Sequence, residues 1–177
     1  MNKIFGTKEC FSFVREERNR FIVGYDYKEE SDGINATWYE IYFYKKQVGK
    51  PTFQMAKDAI LEDINSQTDY KILNGLVWND KPVWLSTENQ FNFSEGERKA
   101  KDNPSRLPIT YKIGQDSEGN PMYHTFTTVE EIVGFYDTCF AHINQCLNEG
   151  WQRKDSIDWK PYKEYFPELE EQVTEES

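Results

Sequence analysis

The sequence predicts an α+β fold, in which an antiparallel meander and two hairpins are packed by two longer helices. Apolar and polar residues alternate over short stretches of the first quarter of the chain, as they do in half-buried strands. Two later pairs of apolar stretches flank turn residues, which is typical of hairpins. Two other segments repeat apolar residues at three- and four-residue spacing, which is typical of amphipathic helices. The chain has 177 residues, and we expect a single domain over residues 1–160.

The N-terminal meander is predicted over residues 10–46. Its first two strands are expected at 10–14 and 20–27, with charged turn residues after each. A longer third strand is expected at 37–45 and carries rings on both faces, so both faces should be at least partly covered. Three aromatic residues share one face of this strand: Trp38, Tyr42 and Tyr44.

A helix over residues 52–66 is predicted next, with Thr52 as its N-cap and an end near Gln67. A hairpin follows over 70–86, because two apolar runs flank the two-residue step Asn79-Asp80.

A shorter helix is expected from Thr87 toward Lys101, since Gln90 stands three residues after Thr87 in capping-box form. A second hairpin is predicted over residues 109–126. Its acidic turn lacks the twelve-residue ligand pattern of a calcium loop, which favours a solvated turn.

The clearest helix is predicted over residues 128–149. Thr128 and Glu131 have capping-box form, and Gly150 is expected to end the helix. Its apolar positions form one seam: Ile132, Tyr136, Cys139, Ile143 and Cys146. Residues 161–177 are predicted to be an acidic, partly disordered tail, because they hold one Lys and six Glu.

Charge and cysteine content exclude several classes of protein. The net charge is −10, half of it in the tail, which argues against a nucleic-acid binder with a basic face. No apolar run approaches the ~20 residues that span a bilayer, and residues 1–6 lack the apolar stretch of a signal peptide. Three Cys without paired spacing favour reduced thiols and synthesis in a cytoplasm.

Catalytic and metal-binding motifs are weak throughout the sequence. Cys139, His142 and Cys146 have a spacing that places three zinc-type ligands on one side of a helix, but a fourth ligand is missing nearby. The two cysteines also occupy seam positions, which favours small core side chains. Gly-rich phosphate loops and nucleophile elbows are absent from the sequence. We therefore predict a protein that is not an enzyme and uses no metal or cofactor.

Aromatic residues make up 16% of the chain, an unusually high share for so charged a sequence. Such residues dominate cores and the buried centres of protein interfaces. Flat rings also stack on sugar faces, so a carbohydrate platform is a second interpretation. Five residues are the candidates for an interface: Trp38, Tyr42, Tyr44, Trp78 and Trp84.

Three parts of the sequence resemble phage proteins. Residues 69–93, and residues 107–114 with 123–126, resemble segments of small proteins of tailed phages and prophages of gut Bacteroidales. Residues 135–157 are similar to the C-terminal helix of a phage domain family of unknown function. Three steps in the helix carry this likeness: Ile143-Asn144, Gly150-Trp151 and Lys154-Asp155. Together the resemblance covers roughly residues 37–160.

The resemblance implies a tail, tail-fibre-assembly or other virion-associated protein. We therefore predict a non-enzymatic virion structural component of the tail, baseplate or neck, made in the bacterial host cytoplasm. Its expected partners are other phage structural proteins and further copies of itself, with no nucleic acid and no membrane. One alternative is a tail or tail-fibre assembly chaperone that is absent from the virion. A second is a small acidic anti-defence protein that binds a host factor or a signal nucleotide.

Overall fold

The computed structural model describes residues 3–166 and groups them into two compact units. Within this range, unit 1 comprises residues 3–65 and 152–166, and unit 2 comprises residues 66–151. Antiparallel strands and helices occur in both units, which confirms the α+β fold class. The single domain over 1–160 stays a prediction.

A four-stranded antiparallel sheet forms the base of unit 1. Its strands are β1 (Lys3–Thr7), β2 (Val14–Glu16), β3 (Arg20–Glu29) and β4 (Asn35–Tyr44), in the spatial order β1-β4-β3-β2. The long strands β3 and β4 pair directly, as a meander over 10–46 requires.

The beginning of the meander differs from the prediction. The expected strand at 10–14 is wrong, because Lys8–Cys10 is a 3₁₀ turn and pairing starts only at Val14, opposite Val23. Strand β1 was not predicted, since its five residues carry no strong alternation and Gly6 lies among them. It exists because β4 offers a free edge, a long-range pairing that local pattern does not reveal.

Helices pack against one face of this sheet. They are α1 (Lys45–Val48), the first part of α2 (Phe53–Asn74), the end of α4 (Val129–Asp155) and α5 (Lys160–Tyr165). Thr52 caps α2 as predicted, because its Oγ1 accepts a hydrogen bond from the Met55 N–H at 3.2 Å. The core of unit 1 lies between sheet and helices: Phe21, Val23, Tyr25, Phe53, Ala56, Ile60, Ile64, Tyr162 and Phe166.

The first residues of the predicted C-terminal tail belong to the core of unit 1. Tyr162 is buried and donates a hydrogen bond to the Gly24 carbonyl at 2.7 Å, and Phe166 is buried beside it. The prediction of a tail from residue 161 is therefore wrong for residues 161–166, which anchor the sheet. Residues 167–177 lie outside the described residues.

Helix α2 continues to Asn74, well past the predicted end at residue 66. Ile72 packs against the core of unit 2, and the helix ends where the Gly75 N–H bonds to the Lys71 carbonyl at 2.8 Å. The predicted hairpin over 70–86 is accordingly shorter, because residues 70–74 belong to the helix. A short apolar run such as this one satisfies both the helical and the strand pattern.

Unit 2 packs two hairpins against two helices. Its elements after α2 are β5 (Leu76–Trp78), β6 (Lys81–Val83), α3 (Thr87–Asp102), β7 (Ile109–Gln115), β8 (Pro121–Phe126) and most of α4. The hairpin over 109–126 is confirmed, with Ile109 opposite Phe126. The core of unit 2 consists of buried apolar residues from all these elements: Leu76, Val83, Leu85, Phe93, Ala100, Ile113, Phe126, Ile132, Phe135 and Cys139.

Turn and cap residues define where several elements of unit 2 begin and end. Asn79 and Asp80 have positive φ values of 48° and 60°, as a tight two-residue hairpin turn requires. Thr128 caps α4 as predicted, accepting the Glu131 N–H at 3.2 Å. The cap of α3 is Ser86 and not Thr87, since the Ser86 hydroxyl accepts the Asn89 N–H at 3.2 Å. None of the helices within residues 3–166 is long and apolar enough to cross a membrane.

Candidate functional site

The predicted aromatic face of β4 lies largely inside unit 1. Trp38 is only 2% exposed, and its Nε1 donates to Glu40 Oε1 at 3.1 Å. The Tyr42 hydroxyl donates to the other oxygen of the same carboxylate at 3.0 Å. Arg20 covers the Tyr42 ring at 4.6 Å from its centroid. Trp38 and Tyr42 therefore do share one face of β4, but their polar groups are paired with Glu40 on the same face.

The glutamate at the centre of this face changes the acidity of its neighbour. Burial raises the pKa of the Tyr42 hydroxyl, and the Glu40 carboxylate that accepts its proton raises it further. Arg15 approaches the same carboxylate at 3.8 Å. Tyr42 thus remains a neutral donor, and the cluster stabilises the sheet without offering an unpaired reactive group.

Only part of the predicted interface is exposed. Trp78 packs against His124, Phe126 and Phe135 in the core of unit 2, with ring centroids 4.8–5.9 Å apart. Trp38 therefore offers almost no ring surface, whereas Trp78 is half-buried. Tyr44 is exposed, and Trp84 is 42% exposed beside a cavity of unit 2. An interface role stays a prediction for these two residues and for the half-buried Tyr42 and Trp78.

A second exposed aromatic surface was not predicted. Phe91 on α3 and Phe140 on α4 are 66% and 57% exposed, and they line a groove of about 420 Å³ between the two helices. The Tyr136 and Phe140 rings stack along its wall with centroids 6.3 Å apart. We call this surface, defined by Phe91, Tyr136 and Phe140, the α3–α4 groove.

The lining of the α3–α4 groove carries no charge among the described residues. Cys139 and Ile143 form its floor, and its polar lining is limited to hydroxyl and amide groups such as those of Ser94 and Gln90. The helical spacing of Tyr136 and Phe140 was a usable signal, because Phe140 stands outside the predicted seam where a polar residue is usual. No sequence pattern indicates that α3 lies opposite.

The cysteine and histidine residues of α4 do not form a nucleophile pair. The Cys146 sulfur lies 3.6 Å from His142 Nε2, but that nitrogen also lies 3.1 Å from the Lys71 carbonyl oxygen. Since a carbonyl only accepts, Nε2 carries the proton and cannot take one from the thiol. Burial also raises the pKa of Cys146, and it raises that of Cys139 to about 12. Neither thiol is activated for nucleophilic attack.

The spacing of Cys139, His142 and Cys146 on α4 does not produce a metal-binding group in the described part of the fold. Within residues 3–166, no group of three or more His, Cys, Asp or Glu is arranged to hold a metal ion. Cys139 instead belongs to the apolar core of unit 2.

We predict that the three cysteines react with a thiol reagent at different rates, because their burial differs. In the folded protein, Cys10 is exposed while Cys139 and Cys146 are buried. A chromogenic disulfide reagent at mildly alkaline pH is expected to modify Cys10 at least about 100-fold faster than the two helix cysteines. Denaturant should make all three react at similar rates. Modification of Cys146 as fast as Cys10 in the folded protein would contradict the protonation described above.

His124 and Glu131 form the most polar contact near the Trp78 cluster. His124 Nε2 lies 2.8 Å from Glu131 Oε1, and the other carboxylate oxygen accepts the Thr127 N–H at 3.0 Å. The Thr127 N–H, and then the imidazole, lower the pKa of Glu131. This contact fixes the start of α4 against β8.

Comparison of the chain with family models, with curated proteins and with solved structures found no match.

Proposed function

We propose that this chain is a non-enzymatic phage protein that acts by binding other proteins, as a structural component of the virion tail, baseplate or neck. The α3–α4 groove is the observation that carries the proposal. Its two most exposed rings, Phe91 and Phe140, come from different helices and converge on one apolar depression. The phage setting comes from the sequence resemblance described above.

The composition of the groove matches the centre of a protein interface. Such centres are rich in aromatic residues and poor in charge, and they are surrounded by polar groups. Phe91, Tyr136 and Phe140 supply the rings, and Ser94 and Gln90 supply uncharged polar groups. The occupant that fits is a segment of another virion protein that presents uncharged apolar side chains, because a charged side chain would lose its hydration there without gaining a partner.

Mass spectrometry of purified virions from the encoding phage tests the structural role. We expect the protein in particles in a constant ratio to the tail proteins. Its absence from particles, with abundance in the infected cell, would contradict the structural role and favour the assembly chaperone.

Substitution in the groove tests the surface separately. Phe91→Ser and Phe140→Ser are expected to weaken co-purification with the partner tail protein by at least tenfold, as loss of an anchor ring does at interface centres. Phe5→Ser is the matched control, because Phe5 lies on β1 of unit 1 and is also 66% exposed. Equal effects of Phe5→Ser and Phe91→Ser would assign the loss to general surface hydrophobicity and contradict a specific groove.

A further inference from the structure

A second cavity, separate from the α3–α4 groove, lies between the end of α2, the residues after β6 and the end of β7. It has a volume of about 410 Å³ and is lined by residues that include Asn74, Trp84, Gln115 and Asp116. This volume falls within the roughly 300–1,000 Å³ of ordinary small-molecule sites. We call it the Trp84 pocket.

The backbone of Trp84 is held on both sides. Its N–H donates to the Ile113 carbonyl at 2.8 Å, and its carbonyl accepts the Asn89 side-chain amide at 2.8 Å. Trp84 nevertheless remains 42% exposed. A large apolar surface is thus presented from a fixed backbone position, which lowers the entropy lost when a ligand binds.

Three polar residues line the Trp84 pocket together with Trp84: Asn74, Gln115 and Asp116. Asn74 uses its Nδ2 to donate to the Tyr70 carbonyl at 3.2 Å, which leaves its Oδ1 as an acceptor. Within residues 3–166, the Gln115 side-chain amide makes no hydrogen bond, so it can both donate and accept.

Asp116 is fixed in its ionised form. Its Oδ1 accepts the backbone N–H groups of Glu118 and Asn120 at 2.9 and 2.8 Å, and its Oδ2 accepts the Asn120 side-chain amide at 3.1 Å. These bonds, the Asn120 side chain first, hold the pKa of Asp116 below its usual range. The Gly119 N–H is directed at the same carboxylate, so its acceptor positions are largely used within the turn and Asp116 brings mainly its negative charge to the pocket.

We propose that the Trp84 pocket binds a neutral saccharide, with one face of a pyranose ring against the Trp84 indole. One face of a pyranose is a surface of C–H groups, and its edge carries hydroxyls that donate and accept. The indole matches the first, and the Asn74 and Gln115 side-chain amides match the second.

Other ligand classes fit the Trp84 pocket less well. A phosphorylated ligand would meet the Asp116 carboxylate, and the described lining contains no Lys or Arg to neutralise it. A purely apolar ligand would remove water from the Asn74 and Gln115 amides without replacing their hydrogen bonds, which costs affinity. A neutral polyol ring satisfies both the apolar and the polar groups.

Saturation-transfer NMR on the full chain tests the proposal with named probes. The panel consists of glucose, galactose, mannose, N-acetylglucosamine and L-fucose, with glucose 6-phosphate and adenosine as competing ligand classes. At least one neutral sugar is expected to receive saturation at its ring C–H protons, and glucose 6-phosphate is not. Absence of transfer to all five neutral sugars, or transfer only to adenosine, would overturn the proposal.

Two variants and a control locate the binding. Trp84→Ala is expected to weaken binding of the responding sugar by at least tenfold, and Gln115→Ala by roughly 2- to 10-fold, since it removes one hydrogen-bonding group from an exposed position. Trp151→Ala is the control, because this indole is also exposed and does not line the pocket. Unchanged binding in both pocket variants, or equal loss in Trp151→Ala, would place the sugar elsewhere and overturn the assignment.

Discussion

Phe135→Ala is expected to lower the free energy of unfolding by about 3–5 kcal/mol. The Phe135 ring is almost fully buried at the centre of the core of unit 2. Its centroid lies 4.8 Å from that of Trp78, 4.9 Å from Phe93 and 5.1 Å from Phe126. These three rings come from β5, α3 and β8, so no single movement fills the cavity that truncation leaves.

Urea unfolding followed by far-UV circular dichroism measures this effect. Phe140→Ala is the matched control, because it removes the same ring from the same helix at a position that is 57% exposed. We expect the control to change the free energy of unfolding by less than about 0.5 kcal/mol. Similar losses in the two variants would contradict the burial of Phe135 and the orientation of α4.

Helix α4 shows how much of the fold local pattern specifies. The predicted seam positions Ile132, Cys139 and Cys146 are buried, and the helix begins after Thr128 as expected. Its end is different, because the helix continues through Gly150 to Asp155. The space around Gly150 explains its identity, since a Cβ there would lie 2.6 Å from Thr68 Oγ1. Gly150 marks a close approach within unit 2 and not a helix end.

In unit 1, local sequence pattern could not predict strand pairing between residues that are far apart in the chain. The pairing of β1 with β4 joins residues far apart in the chain, such as Lys3 and Tyr39. The predicted strand at 10–14 pairs only at Val14 for the same reason, since alternation alone does not supply a pairing partner.

The sequence pattern also did not predict which aromatic residues are exposed. Trp38 and Trp84 both occur in stretches that alternate in pattern, yet the first is buried and the second lines a cavity. The difference arises because Glu40 and the neighbouring strands enclose Trp38, whereas Trp84 follows the short strand β6 at the surface. The α3–α4 groove required the packing of two helices that are distant in sequence.

Gly114→Ala is expected to lower the free energy of unfolding by about 1–3 kcal/mol. A Cβ at this position would lie 2.1 Å from the Pro82 carbonyl oxygen and 3.1 Å from its carbon. Both atoms belong to the backbone of β6, so the clash cannot be relieved by rotating a side chain. It requires β6 to move away from β7, at the position where the β7–β8 register shifts.

Gly134→Ala is the control for that substitution and has the opposite expected sign. Gly134 lies in α4, and a Cβ there would meet nothing within 4 Å. The added methyl should raise the free energy of unfolding by about 0.5–1 kcal/mol, because alanine loses less backbone entropy in a helix than glycine does. Urea unfolding of both variants measures the difference, and a loss of stability in Gly134→Ala would contradict this environment.

The Gly114 substitution also separates the two proposed surfaces. Pro82, Trp84 and Gly114 all line the Trp84 pocket, so displacement of β6 should reduce saccharide binding together with stability. The α3–α4 groove contains none of these residues and should keep its partner at temperatures where the variant is still folded. Co-purification and saturation transfer on the same sample measure the two effects. If Gly114→Ala lost the protein partner and kept sugar binding, both assignments would be contradicted. Each ligand would then depend on the surface assigned to the other.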